Sequence, residues 1–101
     1  MDWDFFFRQL ESGMNINETC FYFKDDPNEV EHYLGYISGQ ENPYWVGYCD
    51  IDGGCDFKNA TELVNAQIFN GKTLKERWSN VIICHIEGCG FDDWMKDFHH
   101  I

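Results

Sequence analysis

The chain has 101 residues, 44% of them hydrophobic and 18% aromatic, enough bulky apolar material for one packed core and too much for intrinsic disorder. Seven basic residues against 18 acidic ones give a formal net charge of -11 at pH 7. A field of that sign repels nucleic-acid phosphates and anionic membrane surfaces, and it draws in a basic protein.

Asp2 is placed to cap a helix in which Trp3, Phe6, Phe7 and Leu10 form one apolar stripe, with Phe5 off the stripe and Ser12-Gly13 as the stop. Thr19 to Phe23 is dense in β-branched and aromatic residues and reads as a strand, followed by turn chemistry at Asp25-Asp26-Pro27-Asn28. His32 to Ser38 reads as a second strand, and the loop Gly39 to Pro43 joins it to a third, Tyr44 to Ile51. Period two puts Trp45, Gly47, Cys49 and Ile51 on one face of that third strand and Tyr44, Val46, Tyr48 and Asp50 on the other.

Asn59-Ala60-Thr61-Glu62 and Thr73-Leu74-Lys75-Glu76 share capping-box spacing, so a short helix is expected after each; the second sets Leu74 and Trp78 inward. Val81 to Ile86 is a nearly continuous apolar run, the pattern of a central strand covered on both faces. Asp92-Asp93-Trp94-Met95 opens a last helix with acids at its positive end. The expected fold is α+β: one domain over residues 1–101, with an antiparallel sheet of about four strands packed by short helices.

Five cysteines, Cys20, Cys49, Cys55, Cys84 and Cys89, form an odd set, and the first residues lack the basic start and apolar stretch of a secretory signal. Reduced thiols in a cytoplasm are expected, and no apolar run approaches the roughly 20 residues that span a bilayer. Asn17-Glu18-Thr19 and Asn59-Ala60-Thr61 fit a glycosylation pattern short enough to arise by chance.

From Glu11 to Asp56 there are ten acids, Glu11, Glu18, Asp25, Asp26, Glu29, Glu31, Glu41, Asp50, Asp52 and Asp56, opposed by Lys24 alone. Lys72, Lys75 and Arg77 cluster in the second half, so the sheet-forming half should present a negative face that imitates a nuclease's phosphate substrate. A merely solvated acidic surface is the plain alternative. Tyr44 and Tyr48 are the candidate interface anchors beside these carboxylates, whereas Trp45 is expected to pack in the core. The partner-binding set is therefore Asp25, Asp26, Glu29, Glu31, Glu41, Tyr44, Tyr48, Asp50, Asp52 and Asp56.

Other chemistries fit less well. Asp50-Ile51-Asp52-Gly53-Gly54-Cys55-Asp56 alternates carboxylates as a calcium loop does, but Cys55 stands where the loop needs glycine and Thr61 where it needs the bidentate glutamate, so a turn is expected. Cys49, Cys55, Cys84, His85 and Cys89 are zinc-ligand types without knuckle spacing and read as buried thiols. No nucleophile elbow or phosphate-binding glycine loop is present, Asp92-Asp93 reads as a helix start and His99-His100 as a solvated tail. No catalytic residue, cofactor or metal is expected.

From Tyr44 to Met95 the chain resembles small immunity proteins of bacterial toxin systems, particularly those that accompany contact-dependent growth-inhibition toxins. The residues concerned are Tyr44-Trp45-Val46-Gly47-Tyr48, Ala60-x-x-Leu63, Ile68 through Trp78, the apolar strand, and Gly90-Phe91-Asp92-Asp93-Trp94. The resemblance implies a non-enzymatic domain that binds the toxic C-terminal domain of a cognate effector, often a nuclease, and blocks its active site or substrate path. It transfers no contact residues. A metal-dependent regulator or enzyme, and an acidic structural subunit of a larger assembly, are the competing readings.

Overall fold

A computed structural model describes residues 1–96. The elements run α1 (Trp3–Ser12), β1 (Thr19–Phe23), β2 (His32–Tyr36), β3 (Tyr44–Val46), β4 (Cys55–Phe57), α2 (Ala60–Asn65), a 3-10 turn (Trp78–Asn80), β5 (Val81–Ile86), β6 (Cys89–Gly90) and α3 (Phe91–Lys96). The six strands form one antiparallel sheet in the order β4-β3-β2-β1-β5-β6. The architecture is α+β as expected, with two more strands than the sequence suggested. Both are short strands at the sheet edges, too brief to carry a period-two signal. Among the described residues no helix is long and apolar enough to cross a membrane.

Local chemistry explains most boundaries. Asp2 caps α1 by accepting from the Phe5 amide at 3.2 Å, and Gly13 ends the helix at φ 70°, a conformation that a side chain disfavours. Asn59 caps α2, its Oδ1 accepting from the Glu62 amide at 2.8 Å. The second capping box also forms, since Thr73 Oγ1 accepts from the Glu76 amide at 3.0 Å and Glu76 accepts from the Thr73 amide at 3.1 Å. The expected helix does not follow it: residues 74–77 form turns that tighten into the 3-10 turn before β5 begins. Leu74 is fully buried and Trp78 half-buried, so the inward pair was correct even though the helix was not. β5 and β6 are joined by Glu87 (φ 58°) and Gly88 (φ 76°), the paired positive angles of a two-residue primed turn.

One face of the sheet carries the core. Phe21, Phe23, Leu34, Tyr44, Val46 and Ile86 pack with Phe6 and Leu10 of α1, Leu63 and Val64 of α2, Leu74, and Trp94 of α3. Trp94 is 2% exposed and its Nε1 donates to the Asn15 carbonyl at 2.8 Å. Phe5, off the stripe, meets Trp94 edge-to-face with centroids 6.1 Å apart.

The opposite face presents Tyr22, Tyr33, Trp45, Ile82 and His85, none of which joins the core cluster. Two expectations are therefore corrected. β5 is covered on one face only, with Ile82 38% exposed on the other. Trp45 stands half-buried on the open face, whereas Tyr44 is the residue turned inward. The third strand also ends at Val46 instead of Ile51, and residues 47–54 leave the sheet as a loop. His99 and His100 lie outside the described residues.

Candidate functional site

Because β1 to β4 run up and down in sequence, the β1–β2 loop and the β3–β4 loop emerge at the same end of the sheet. The acid-rich segments are those two loops, and self-directed hydrogen bonds fix their shape. In the first, the Asp26 carboxylate accepts from the backbone amides of Asn28 (2.9 Å) and Val30 (3.1 Å). These donors hold its carboxyl below the ordinary range. Asp25 is bound by the Arg77 guanidinium at 2.6 Å, and that guanidinium lies 3.7 Å over the Phe23 ring. The two halves of the chain are thus less segregated in charge than the sequence implied, since Arg77 comes back to neutralise Asp25.

In the second loop, Asp50 accepts from the Asn70 amide at 3.0 Å and the Gly71 amide at 2.8 Å. Asn70 and Gly71 are both left-handed, with φ of 56° and 75°, and make the primed turn between Phe69 and Lys72. The Asp50 amide donates to the Ile68 carbonyl at 2.8 Å, so one residue ties the loop to this turn at both ends. The turn expected there is present, followed directly by β4, and Asp50 is used to hold it against Asn70 and Gly71.

Between the two loops lies a hollow of about 170 Å³. Asp26 and Asp50 stand on its rim with Tyr48, 55% exposed, and its floor is Phe23, His32 and Phe69. His32 Nδ1 is 3.0 Å from the Tyr48 carbonyl, and the His32 ring stacks on Phe21 with centroids 5.4 Å apart. Ordinary small-molecule pockets are about 300 to 1,000 Å³. This hollow is of a size for one partner side chain; Arg77 lines it as well, so its guanidinium offsets part of the negative field of Asp26 and Asp50.

The ten expected interface residues do not form one patch. Asp26, Tyr48 and Asp50 line the hollow, with Asp25, Glu29 and Asp52 in the same loops. Glu41 lies in the β2–β3 loop at the other end of the sheet. Glu31 points to the open face, accepting from the Tyr33 hydroxyl at 2.8 Å and the Cys20 thiol at 3.2 Å. Asp56 shares that face, in register with Trp45 on the edge strand. Tyr44 is a correction: it is 7% exposed, and its hydroxyl donates to the Glu11 carbonyl at 2.8 Å, so its ring cannot anchor a partner. In the same loop as Tyr48, Ile51 is 45% exposed between Asp50 and Asp52. The sequence hid it because the expected strand alternation had turned it inward.

The cysteines fall into two pairs instead of the one grouping the sequence allowed. Cys49 and Cys55 have sulfurs 3.8 Å apart, and burial pushes the Cys55 thiol upward. On the open face Cys20, Glu31 and Cys84 bring their ligand atoms within 4.8 Å of one another. Cys20, which had not been counted among the metal-ligand types, is the centre of that cluster, and Cys89 stands apart, exposed on β6.

The lowered carboxyls give stability a defined pH dependence. Asp26 is held low first by its backbone donors, Glu31 by the Tyr33 hydroxyl and Glu76 by the Thr73 amide. A group whose pKa falls on folding adds stability above its unfolded value and loses it as pH drops through the folded one. Stability is therefore expected to decline below about pH 4, where free carboxylates protonate. Asp26→Asn should lower the urea midpoint at pH 7 and change it less at pH 3, which denaturation at the two pH values measures; equal losses at both would contradict the assignment.

Comparison of the chain with protein-family models, with curated proteins and with solved structures gives no match.

Proposed function

We propose that this chain is an immunity protein, which binds the C-terminal domain of a cognate, basic nuclease toxin in the cytoplasm and neutralises it by covering the active site or substrate path. The observation that carries this reading is the convergence of Asp26, Asp50 and the exposed Tyr48 ring around a side-chain-sized hollow at one end of the sheet. Carboxylates that already accept backbone amides keep further lone pairs for a lysine or arginine, and they are rigid before the partner arrives. Tyr48 and Ile51 add exposed apolar area in the same loop as Asp50 and Asp52, and a few such residues supply most of the binding energy at an interface. The net charge of -11 supplies the steering. The protein acts by occupancy and needs no catalytic group of its own.

The test is to express the product of the neighbouring gene, for which the reading expects a basic toxin domain, with and without this chain. Growth should be restored by the wild-type chain, and Tyr48→Ala should weaken the complex by about 2 kcal/mol, roughly thirtyfold in Kd by titration calorimetry. A stable one-to-one complex that forms equally well with Tyr48→Ala would place the interface elsewhere. Absence of any complex would remove the reading.

A further inference from the structure

The open face of the sheet holds a cluster that the acidic end does not use. Cys20 lies on β1, Glu31 just before β2 and Cys84 on β5, so three separate segments supply it. The register of β1 with β5 explains how. Cys20 pairs with His85, but the next residue, Phe21, pairs with Ile83, so Cys84 is the extra residue of a β-bulge. A bulge re-aims side chains, and here it brings the Cys84 sulfur beside that of Cys20 on the face away from the core. A regular ladder would have sent Cys84 to the opposite face from His85.

We propose that Cys20, Cys84 and Glu31 form a binding site for a single zinc ion. Thiolate sulfur and carboxylate oxygen are both zinc ligands, and a tetrahedron with bonds of about 2.3 Å has edges of about 3.8 Å. The three ligand atoms already lie within 4.8 Å of one another, so side-chain rotation alone closes the site. Glu31 is oriented by the Tyr33 hydroxyl, which donates to it at 2.8 Å from the register partner of Cys20. Metal-bound carboxylates are commonly held by such an outer hydrogen bond.

A second observation points the same way. His85 is the partner of Cys20 across β1 and β5, and its Nδ1 is buried without a hydrogen-bond partner among the described residues. Buried polar atoms are nearly always paired, and a water on the fourth position of the metal would give this nitrogen a donor. Binding a divalent ion releases one proton from each thiol as its sulfur bonds to the metal. The site shares no residue with the hollow at the acidic end, so the zinc titration is read without the toxin.

The experiment uses the full chain, purified without chelator and kept reduced, titrated with Co²⁺ as a spectroscopic probe and then with Zn²⁺. A sulfur-to-cobalt charge-transfer band should appear in the near ultraviolet and vanish as zinc displaces cobalt. Cys84→Ser should abolish the band, and Tyr33→Phe should weaken zinc about tenfold through the lost hydrogen bond to Glu31. The double variant Cys49→Ser/Cys55→Ser should leave the band intact. Because Cys20 is fully buried, Cys20→Ser could fail to fold; Cys84→Ser and Tyr33→Phe, checked by circular dichroism, decide the matter without it. No band with the wild-type chain, or a band that survives Cys84→Ser, would overturn the proposal.

Discussion

Gly35→Ala is expected to cost about 3 kcal/mol, the upper end for overpacking and a large share of the roughly 5–15 kcal/mol that holds a domain of this size together. A Cβ built on Gly35 would stand 1.9 Å from the Asn17 carbonyl oxygen and 2.6 Å from its carbon, with the Trp45 ring at 3.0 Å. Neither obstacle is the free end of a flexible chain. The Asn17 segment is fixed on both sides: the Tyr36 amide donates to the Ile16 carbonyl at 3.2 Å, and the Asn17 amide itself donates to the Glu87 carboxylate. Relief would have to come from separating β2 from the segment that leads into β1. Gly39→Ala is the matched control, because nothing lies within 4 Å of its Cβ and only its φ of 84° resists, a cost of about 1 kcal/mol. Urea denaturation of the two variants separates close approach from backbone strain. Equal losses would show that the Asn17 contact is not what requires glycine at 35.

Much of this fold was readable because its signals are local. Thr19 to Phe23 is a strand at the very residues where aromatic and β-branched side chains concentrate, and the caps at Asp2, Asn59 and Thr73 all form. The third strand misled because aromatic density continues past the point where pairing stops. After Val46 the chain is claimed by Asp50, which bonds the turn at Asn70 and Gly71, and by Gly54, whose missing Cβ lets it approach the Val46 carbonyl. Alternation along Tyr44, Trp45 and Val46 was right, but a period of two cannot say which face meets the helices. The sequence therefore makes Tyr44 an anchor and Trp45 core, and the structure reverses the two faces.

The site was legible in part for the same reason. Acid-rich turns announce themselves, so the placing of Asp25, Asp26, Asp50 and Asp52 in two loops is legible in the sequence; that Arg77 returns to Asp25 depends on a tertiary approach that composition does not encode. The thiol–carboxylate cluster was invisible. Local zinc spacings concern ligands close in sequence, whereas Cys20 and Cys84 meet through a strand register and one extra residue in β5.

The central claim concerns the acidic end and its effect on the speed of association. Glu29 and Asp52 are the carboxylates to reverse, because both are exposed and neither carries a hydrogen bond or ion pair among the described residues, unlike Asp25, Asp26 and Asp50. The fold should survive the change, so any effect reports the encounter itself. Glu41, at the far end of the sheet, is the control.

The decisive measurement is the association rate constant of the chain with the basic toxin domain, followed by stopped flow across a range of ionic strength. The account predicts that Glu29→Lys/Asp52→Lys slows association about tenfold or more at low salt and flattens its salt dependence, whereas Glu41→Lys changes either only slightly. Rates for the double variant that match the wild type at every ionic strength would contradict it.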